Sequence, residues 1–119
     1  MTNTFSLEEL NRAIESKYAP FYFTAGEDRY VLRQVLRLSK SERETVVNEL
    51  KTLETFQDTE GVDEDAILKA IETVLSTVTD NGKGPRLVEL LEHDLIRVQM
   101  LMEMWIEATQ AGEASPSPA

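Results

Sequence analysis

The sequence predicts a mainly α protein: a small helical domain of about five helices, with a segment near residues 21–33 that is able to form a short β-hairpin. Apolar residues recur at helical spacing through most of the chain. Two Ser-x-x-Glu sequences precede such stretches, as in capping boxes. The 119 residues are 41% hydrophobic and 29% charged, an ordinary globular composition. We therefore expect one domain over residues 1–110 and a flexible, Ser/Pro-containing tail over residues 111–119.

The first predicted helix spans about residues 6–17. Ser6 is a suitable N-cap, and Glu9 completes a capping box with it. The helix is expected to end before Pro20, because the residue preceding a proline disfavours helical angles. The apolar positions of this helix fall on one side: Leu7, Leu10, Ile14 and Tyr18.

The segment after Pro20 has two interpretations. Aromatic and β-branched runs at residues 21–24 and 29–33 flank a turn that contains Gly26, which favours a β-hairpin. A helix over residues 28–38 is the alternative, because apolar residues there also fit a helical period. An isolated hairpin is marginal in water, so it would have to pack against helices.

Capping residues, apolar spacing and helix-breaking residues together predict four more helices. The Ser39–Glu42 capping box opens the next helix, Asp63 caps the one after it, and Pro85 suits the first turn of a short one. The predicted ranges are about 40–56, 64–79, 86–92 and 94–109.

Composition argues against several classes of function. Twelve basic and 22 acidic residues give a net charge of −10, and such a protein repels phosphate backbones, so we expect no nucleic-acid partner. Cysteine is absent, which excludes thiolate metal sites and cysteine nucleophiles. No apolar run approaches 18 residues, so no membrane partner is expected. With His93 as the only histidine and no nucleophile or phosphate-binding motif, we expect no enzyme, no cofactor and no metal.

The last helix carries more apolar residues than one core-facing side needs. A wide arc is expected to face the core, with Trp105 as an internal anchor. Ile96, Met100 and Met104 form a second line outside that arc, at four-residue spacing. This line is either further core or a binding surface for a client or another copy, because methionine surfaces re-pack against varied apolar partners.

Basic residues are concentrated in one short segment. Five of the 12 lie between residues 29 and 43, among them Arg29, Arg33 and Arg37. A solvated face is the ordinary interpretation, and a docking surface for an acidic partner is the alternative. The candidate partner-binding residues are therefore Ile96, Met100, Met104, Arg29, Arg33 and Arg37.

Several segments of the chain together form a recognisable set. They are Ser-Leu-Glu-Glu-Leu at 6–10, Lys-Tyr-Ala-Pro-Phe at 17–21, the stretches 30–33, 36–38 and 42–43, and Trp-Ile-Glu-Ala-Thr-Gln-Ala-Gly-Glu-Ala at 105–114. In these segments the chain resembles the tail assembly chaperones of long-tailed bacteriophages (siphophages), especially those that infect actinobacteria. Proline often follows the glutamine in that family, whereas this chain has Ala111.

The resemblance implies a non-enzymatic function in the cytoplasm of the host cell. Such chaperones keep the tape measure protein soluble while tail tube subunits polymerise around it, and they are absent from the finished virion. The family commonly makes a longer product by programmed frameshift, and this chain resembles the shorter one. The implied partners are the tape measure protein, the longer form and further copies of the chain. The alternative, from another class, is a small acidic regulator of the DNA-mimic or anti-repressor type that binds a basic protein.

Overall fold

The computed structural model describes residues 4–57, 61 and 63–109, and the predicted fold class is confirmed within them. The tail predicted at residues 111–119 lies outside the described residues, as do most residues between the second and third predicted helices. The elements in chain order are α1 (Leu7–Lys17), β1 (Phe21–Ala25), β2 (Asp28–Leu32), a 3-10 turn (Val35–Arg37), α2 (Lys40–Gln57), α3 (Glu64–Val78), α4 (Gly84–Leu90) and α5 (Leu95–Thr109).

The hairpin interpretation of the segment after Pro20 is confirmed. β1 and β2 pair antiparallel from Phe21 opposite Leu32 to Ala25 opposite Asp28, joined by a two-residue loop. Gly26 has a φ of 64° at the first loop position, which a two-residue hairpin loop requires. The helix considered over residues 28–38 is wrong. Burial in β2 alternates with the period of a strand, and only the three residues of the 3-10 turn are helical.

The predicted caps form as expected. The Ser6 hydroxyl accepts a 3.0 Å hydrogen bond from the Glu9 amide at the start of α1. At the start of α2 the box is reciprocal. The Ser39 hydroxyl accepts from the Glu42 amide at 3.2 Å, and the Glu42 carboxylate accepts from the Ser39 amide at 3.0 Å. These bonds satisfy amides that have no partner within the helix, and so they fix where each helix begins.

The core is built around α3, which packs against α2, α4 and α5. One side of the hairpin closes the core through the buried side chains of Tyr30 and Leu32. The contact between α3 and α4 is especially close. A Cβ atom placed on the buried Gly84 would lie 2.2 Å from the carbonyl oxygen of Ser76, so only glycine fits there.

The end of the hairpin continues into the chain that leaves α3. The Arg33 amide donates to the Val78 carbonyl at 2.9 Å, and the Asp80 amide donates to the Val31 carbonyl at 2.8 Å. These two bonds join segments that are more than 40 residues apart in sequence. They hold the hairpin, and with it the N-terminal part of the chain, against the helical core.

Candidate functional site

The inner side of α5 is anchored deep in the core. Trp105 is fully buried, and its indole Nε1 donates a 2.9 Å hydrogen bond to the Arg33 carbonyl. The Thr109 hydroxyl donates to the Trp105 carbonyl at 2.6 Å. At the other end of the helix, the Asp94 carboxylate caps it by accepting from the Ile96 amide at 2.9 Å. The prediction that Trp105 is an internal anchor is confirmed, and the rotation of α5 is fixed.

The outer side of α5 carries an uncovered line of apolar side chains. Ile96, Met100 and Met104 are 67%, 58% and 50% exposed. We call these three residues the α5 stripe. Their four-residue spacing aligns them along the helix over about 12 Å. Of the two interpretations left by the sequence, the further-core interpretation is excluded because all three side chains face solvent.

Charged residues border the α5 stripe on both sides. Arg97 lies on one edge, where it pairs loosely with Glu92 at 3.5 Å and with Asp94 at 3.8 Å. Glu103 and Glu107 are exposed towards the other edge. Surface pairs of this kind contribute little stability, so Arg97 is free to exchange partners.

The three candidate arginines have different surroundings. Arg29 is exposed on the outer face of β2, with its guanidinium carbon 4.0 Å from the centroid of the Tyr22 ring. Arg37 is exposed on the 3-10 turn. Arg33 and Arg37 line the same open cleft, of about 570 Å³, between the end of α1 and the hairpin. Tyr22, which Arg29 contacts, lines the same cleft, so the three arginines lie around one surface.

Arg33 is occupied by contacts within the chain. Its guanidinium donates to the Val78 carbonyl at 3.1 Å, to the Thr77 carbonyl at 2.8 Å and to the Glu42 carboxylate at 3.0 Å. The hydrogen bond from Arg33, helped by the Ser39 amide, lowers the pKa of Glu42 from 4.5 to about 2. A guanidinium with these partners caps the carboxyl end of α3. Arg29 and Arg37 are therefore better placed than Arg33 to meet a partner.

A second apolar surface, on α1, was not singled out from the sequence. Leu7 is 70% exposed and Leu10 is 43% exposed, and Phe5, just before the N-cap, is 59% exposed. We call Phe5, Leu7 and Leu10 the α1 stripe. No residue of α1 is buried. The sequence signal was present, because the capping box and the apolar spacing predict an amphipathic helix. The spacing alone does not say whether anything covers the apolar side.

His93 lies exposed at the joint between α4 and α5, with its Nδ1 2.5 Å from the Glu72 carboxylate. Within residues 4–57, 61 and 63–109, no group of three or more histidine or acidic side chains is arranged to hold a metal ion. None of the helices described here is both long and apolar enough to cross a membrane.

Comparisons with known proteins identify the family. A family model described as mycobacteriophage tail assembly protein matches residues 1–114. The chain belongs to the mycobacteriophage tail assembly protein family. A relative, the tail assembly protein Gp24 of Mycobacterium phage L5, is 31% identical in an alignment of 132 positions that covers all of both chains. No solved structure matches this tail assembly protein.

The family match confirms the resemblance to phage tail assembly proteins drawn from the sequence. It also extends over both apolar stripes, since residues 1–114 include all of α1 and all of α5.

Proposed function

We propose that this tail assembly protein is a chaperone, which binds the tape measure protein of its phage and keeps it soluble while the tail tube polymerises. The observation that carries the proposal is the α5 stripe. Its three side chains are at least half exposed on a helix whose opposite side is anchored in the core. A polar-edged apolar surface of this kind marks a binding site.

The chemistry of the stripe suits a long client with many different helical segments. Two of its three residues are methionine, whose unbranched side chain adapts to apolar partners of different shape. An amphipathic client helix would lay its apolar side along the stripe. Recognition of this kind selects for apolar helical surface rather than for one sequence, as a solubilising function requires.

The charge of the protein supports the same function. A net charge of −10 keeps a complex with an apolar client soluble. We further propose that the protein acts without catalysis, in the host cytoplasm, and is absent from the mature virion. A longer frameshifted form would contain the same apolar stripes, and it would bind the tape measure protein together with the shorter form. Arg29 and Arg37 are proposed as secondary contacts for acidic client side chains.

The test is co-expression with the tape measure protein of the same phage, measured as the soluble fraction of the client. The variant Met100→Gln with Met104→Gln removes apolar contact but preserves side-chain length and helix propensity. We expect the double variant to remain folded, but most of the co-expressed tape measure protein to become insoluble. Leu90→Gln is the matched control, because Leu90 is a 42% exposed residue on α4, outside the stripe.

Two results would contradict this assignment. A double variant that still solubilises the client would move the client site away from α5, and Arg29→Ala with Arg37→Ala would then be tested. A complex that dissociates at high salt would favour the acidic-regulator class, because salt screens contacts between exposed charges and leaves apolar contacts intact.

A further inference from the structure

One chain leaves two apolar helix surfaces without a cover. The α1 stripe belongs to a helix with no buried residue, and the α5 stripe lies on the outer side of an anchored helix. Together they place six large apolar side chains in solvent at 43–70% exposure. An apolar surface with polar edges is the kind that marks an interaction site. Within one chain, α1 does not pack over the α5 stripe, whose side chains stay exposed.

We propose that in the client-free protein the α1 stripe of one copy packs against the α5 stripe of a second copy, reciprocally, in a symmetric dimer. The proposal rests on the proposed function in one respect, namely that the covered stripe is the client site. The dimer is thus a resting form in which each copy shields the other's client site. A client would reach the α5 stripe of one copy by displacing the α1 helix of the other copy.

The apolar side of α1 continues past the α1 stripe to the half-buried Ile14, so it is nearly as long as the α5 stripe. From Leu7 to Ile14 it covers seven residue steps, and from Ile96 to Met104 the α5 stripe covers eight. At 1.5 Å per residue these are lines of about 10 Å and about 12 Å. Each lies along one side of a helix, so the two helices are able to pack side by side along their full apolar length.

Charge selects the relative direction of the two helices. By helical spacing, Glu15 lies beyond one edge of the apolar side of α1, near its carboxyl end, where it is exposed and also lines the cleft that contains Arg33 and Arg37. In an antiparallel arrangement that edge meets Arg97, near the amino end of α5. In a parallel arrangement the same edge meets Glu103, which places like charges together. We therefore assign the antiparallel arrangement, with Glu15 beside Arg97 of the other copy.

The area argues for a reciprocal rather than a one-sided contact. Six side chains at roughly 100 Å² each give roughly 600 Å² per protomer when both stripes of each copy are covered. Stable interfaces bury about 800 Å² per partner, so the reciprocal dimer approaches that size, whereas a single contact of one α1 with one α5 gives only half. A two-fold axis supplies the second contact without further residues.

Cross-linking between two different chains tests the pairing directly, because the sequence contains no cysteine. Leu10→Cys and Met100→Cys are placed on separate chains, mixed, and treated with a short bismaleimide. We expect the mixed dimer to dominate over either self-linked dimer. A dominant Met100→Cys self-link would mean that α5 pairs with α5, and the absence of any cross-link would also overturn the proposal. Leu36→Cys, exposed on the 3-10 turn, is the background control.

Light scattering after gel filtration measures the oligomeric state. We expect Leu7→Gln with Leu10→Gln to raise the dimer Kd at least tenfold without loss of the fold, since α1 buries no residue. The control Leu36→Gln should leave the dimer intact. Glu15→Arg should weaken the dimer, and adding Arg97→Glu should restore it. A double α1 variant that stays dimeric, or a charge swap without rescue, would refute the arrangement.

The client assay separates this proposal from the proposed function. The monomeric α1 variant should still solubilise the tape measure protein, because its α5 stripe is intact and open. If that variant stays dimeric while the Met100 and Met104 variant loses the client, the pairing is wrong and the function stands. If the α1 variant is monomeric but the Met100 and Met104 variant still holds the client, the pairing stands and the client site is elsewhere.

Discussion

The indole Nε1 of Trp105 donates a hydrogen bond of 2.9 Å to the backbone carbonyl of Arg33, 72 residues earlier in the chain. Arg33 uses its side chain at the same time to reach two carbonyls at the end of α3. One residue therefore joins the hairpin, α3 and α5. This contact fixes which side of α5 is buried in the core, and hence which side is exposed to solvent.

Trp105→Ala should be the most damaging substitution on α5. It removes a fully buried side chain and its hydrogen bond, so we expect the free energy of unfolding to fall by about 3–5 kcal/mol. Denaturant titration followed by circular dichroism measures the loss. An unchanged midpoint would show that the indole is not an anchor. Met100→Ala, on the exposed side of the same helix, is the matched control and should change stability by less than about 0.5 kcal/mol.

The ion pair between Arg33 and Glu42 should make stability depend on acid pH. The pKa of Glu42 is lower in the folded protein, at about 2 against 4.5, so the pair stabilises the fold above pH 4.5. That contribution is lost as the pH falls from 4.5 towards 2. Because the carboxylate is 36% exposed, solvent screening limits the effect, and Glu42→Gln should cost about 1 kcal/mol at pH 7.

The measurement is the difference in unfolding free energy between the wild type and Glu42→Gln at pH 7 and at pH 3. The difference should be smaller at pH 3 than at pH 7, and it should approach zero only as the pH nears 2. Glu44→Gln, an exposed glutamate on the same helix, serves as the control. A difference that stays constant across this range would mean that the carboxylate is not held by Arg33.

Gly84→Ala should loosen the contact between α3 and α4. The added Cβ would lie 2.2 Å from the Ser76 carbonyl oxygen and 2.6 Å from its hydroxyl. We expect a loss of about 1–3 kcal/mol, since one helix has to move. Thermal unfolding of the single variant and of Gly84→Ala with Ser76→Ala tests the cause. Removal of the hydroxyl should not rescue stability, because the closest atom belongs to the backbone.

Substitutions of Arg33 and Arg37 should differ in their effect on the free energy of unfolding, because Arg33 has partners within the chain and Arg37 is exposed. Arg33→Lys keeps the charge but loses the planar fork that reaches three partners, so we expect a loss of about 1–2 kcal/mol. Arg37→Lys, at an exposed position, should change stability by less than about 0.5 kcal/mol. Equal losses at the two positions, measured by denaturant titration, would argue against the structural assignment of Arg33.

Local patterns in the sequence predicted much of this structure. The capping boxes at Ser6 and Ser39 place two helix starts, because a cap is a contact between residues three apart. The two sides of α5 also follow from spacing alone. Trp105 and Met100 are five residues apart, which puts them on opposite sides of a helix with 3.6 residues per turn.

What the sequence left open depends on contacts between distant segments. Arg33 could not be told apart from Arg29 and Arg37, because its partners on α3 lie about 45 residues away. The apolar side of α1 was visible, but its lack of a cover is a property of the whole fold. The line of apolar residues on α5 is exposed, as only one of its two interpretations required, and the apolar surface on α1 is not among the candidate residues. Partner binding at either surface stays a prediction.

The length of α1 has a consequence for the timing of assembly. With 11 residues it is shorter than the roughly 12–15 that an isolated helix needs to be stable in water. Without the proposed partner copy, α1 should therefore be only marginally stable, and dilution of the protein should lower its helix content. In the proposed dimer, each docking of α1 would carry the entropic cost of ordering that helix, which would weaken its binding to α5. An order–disorder transition at one end of the chain would thus determine when the protein becomes receptive to a client.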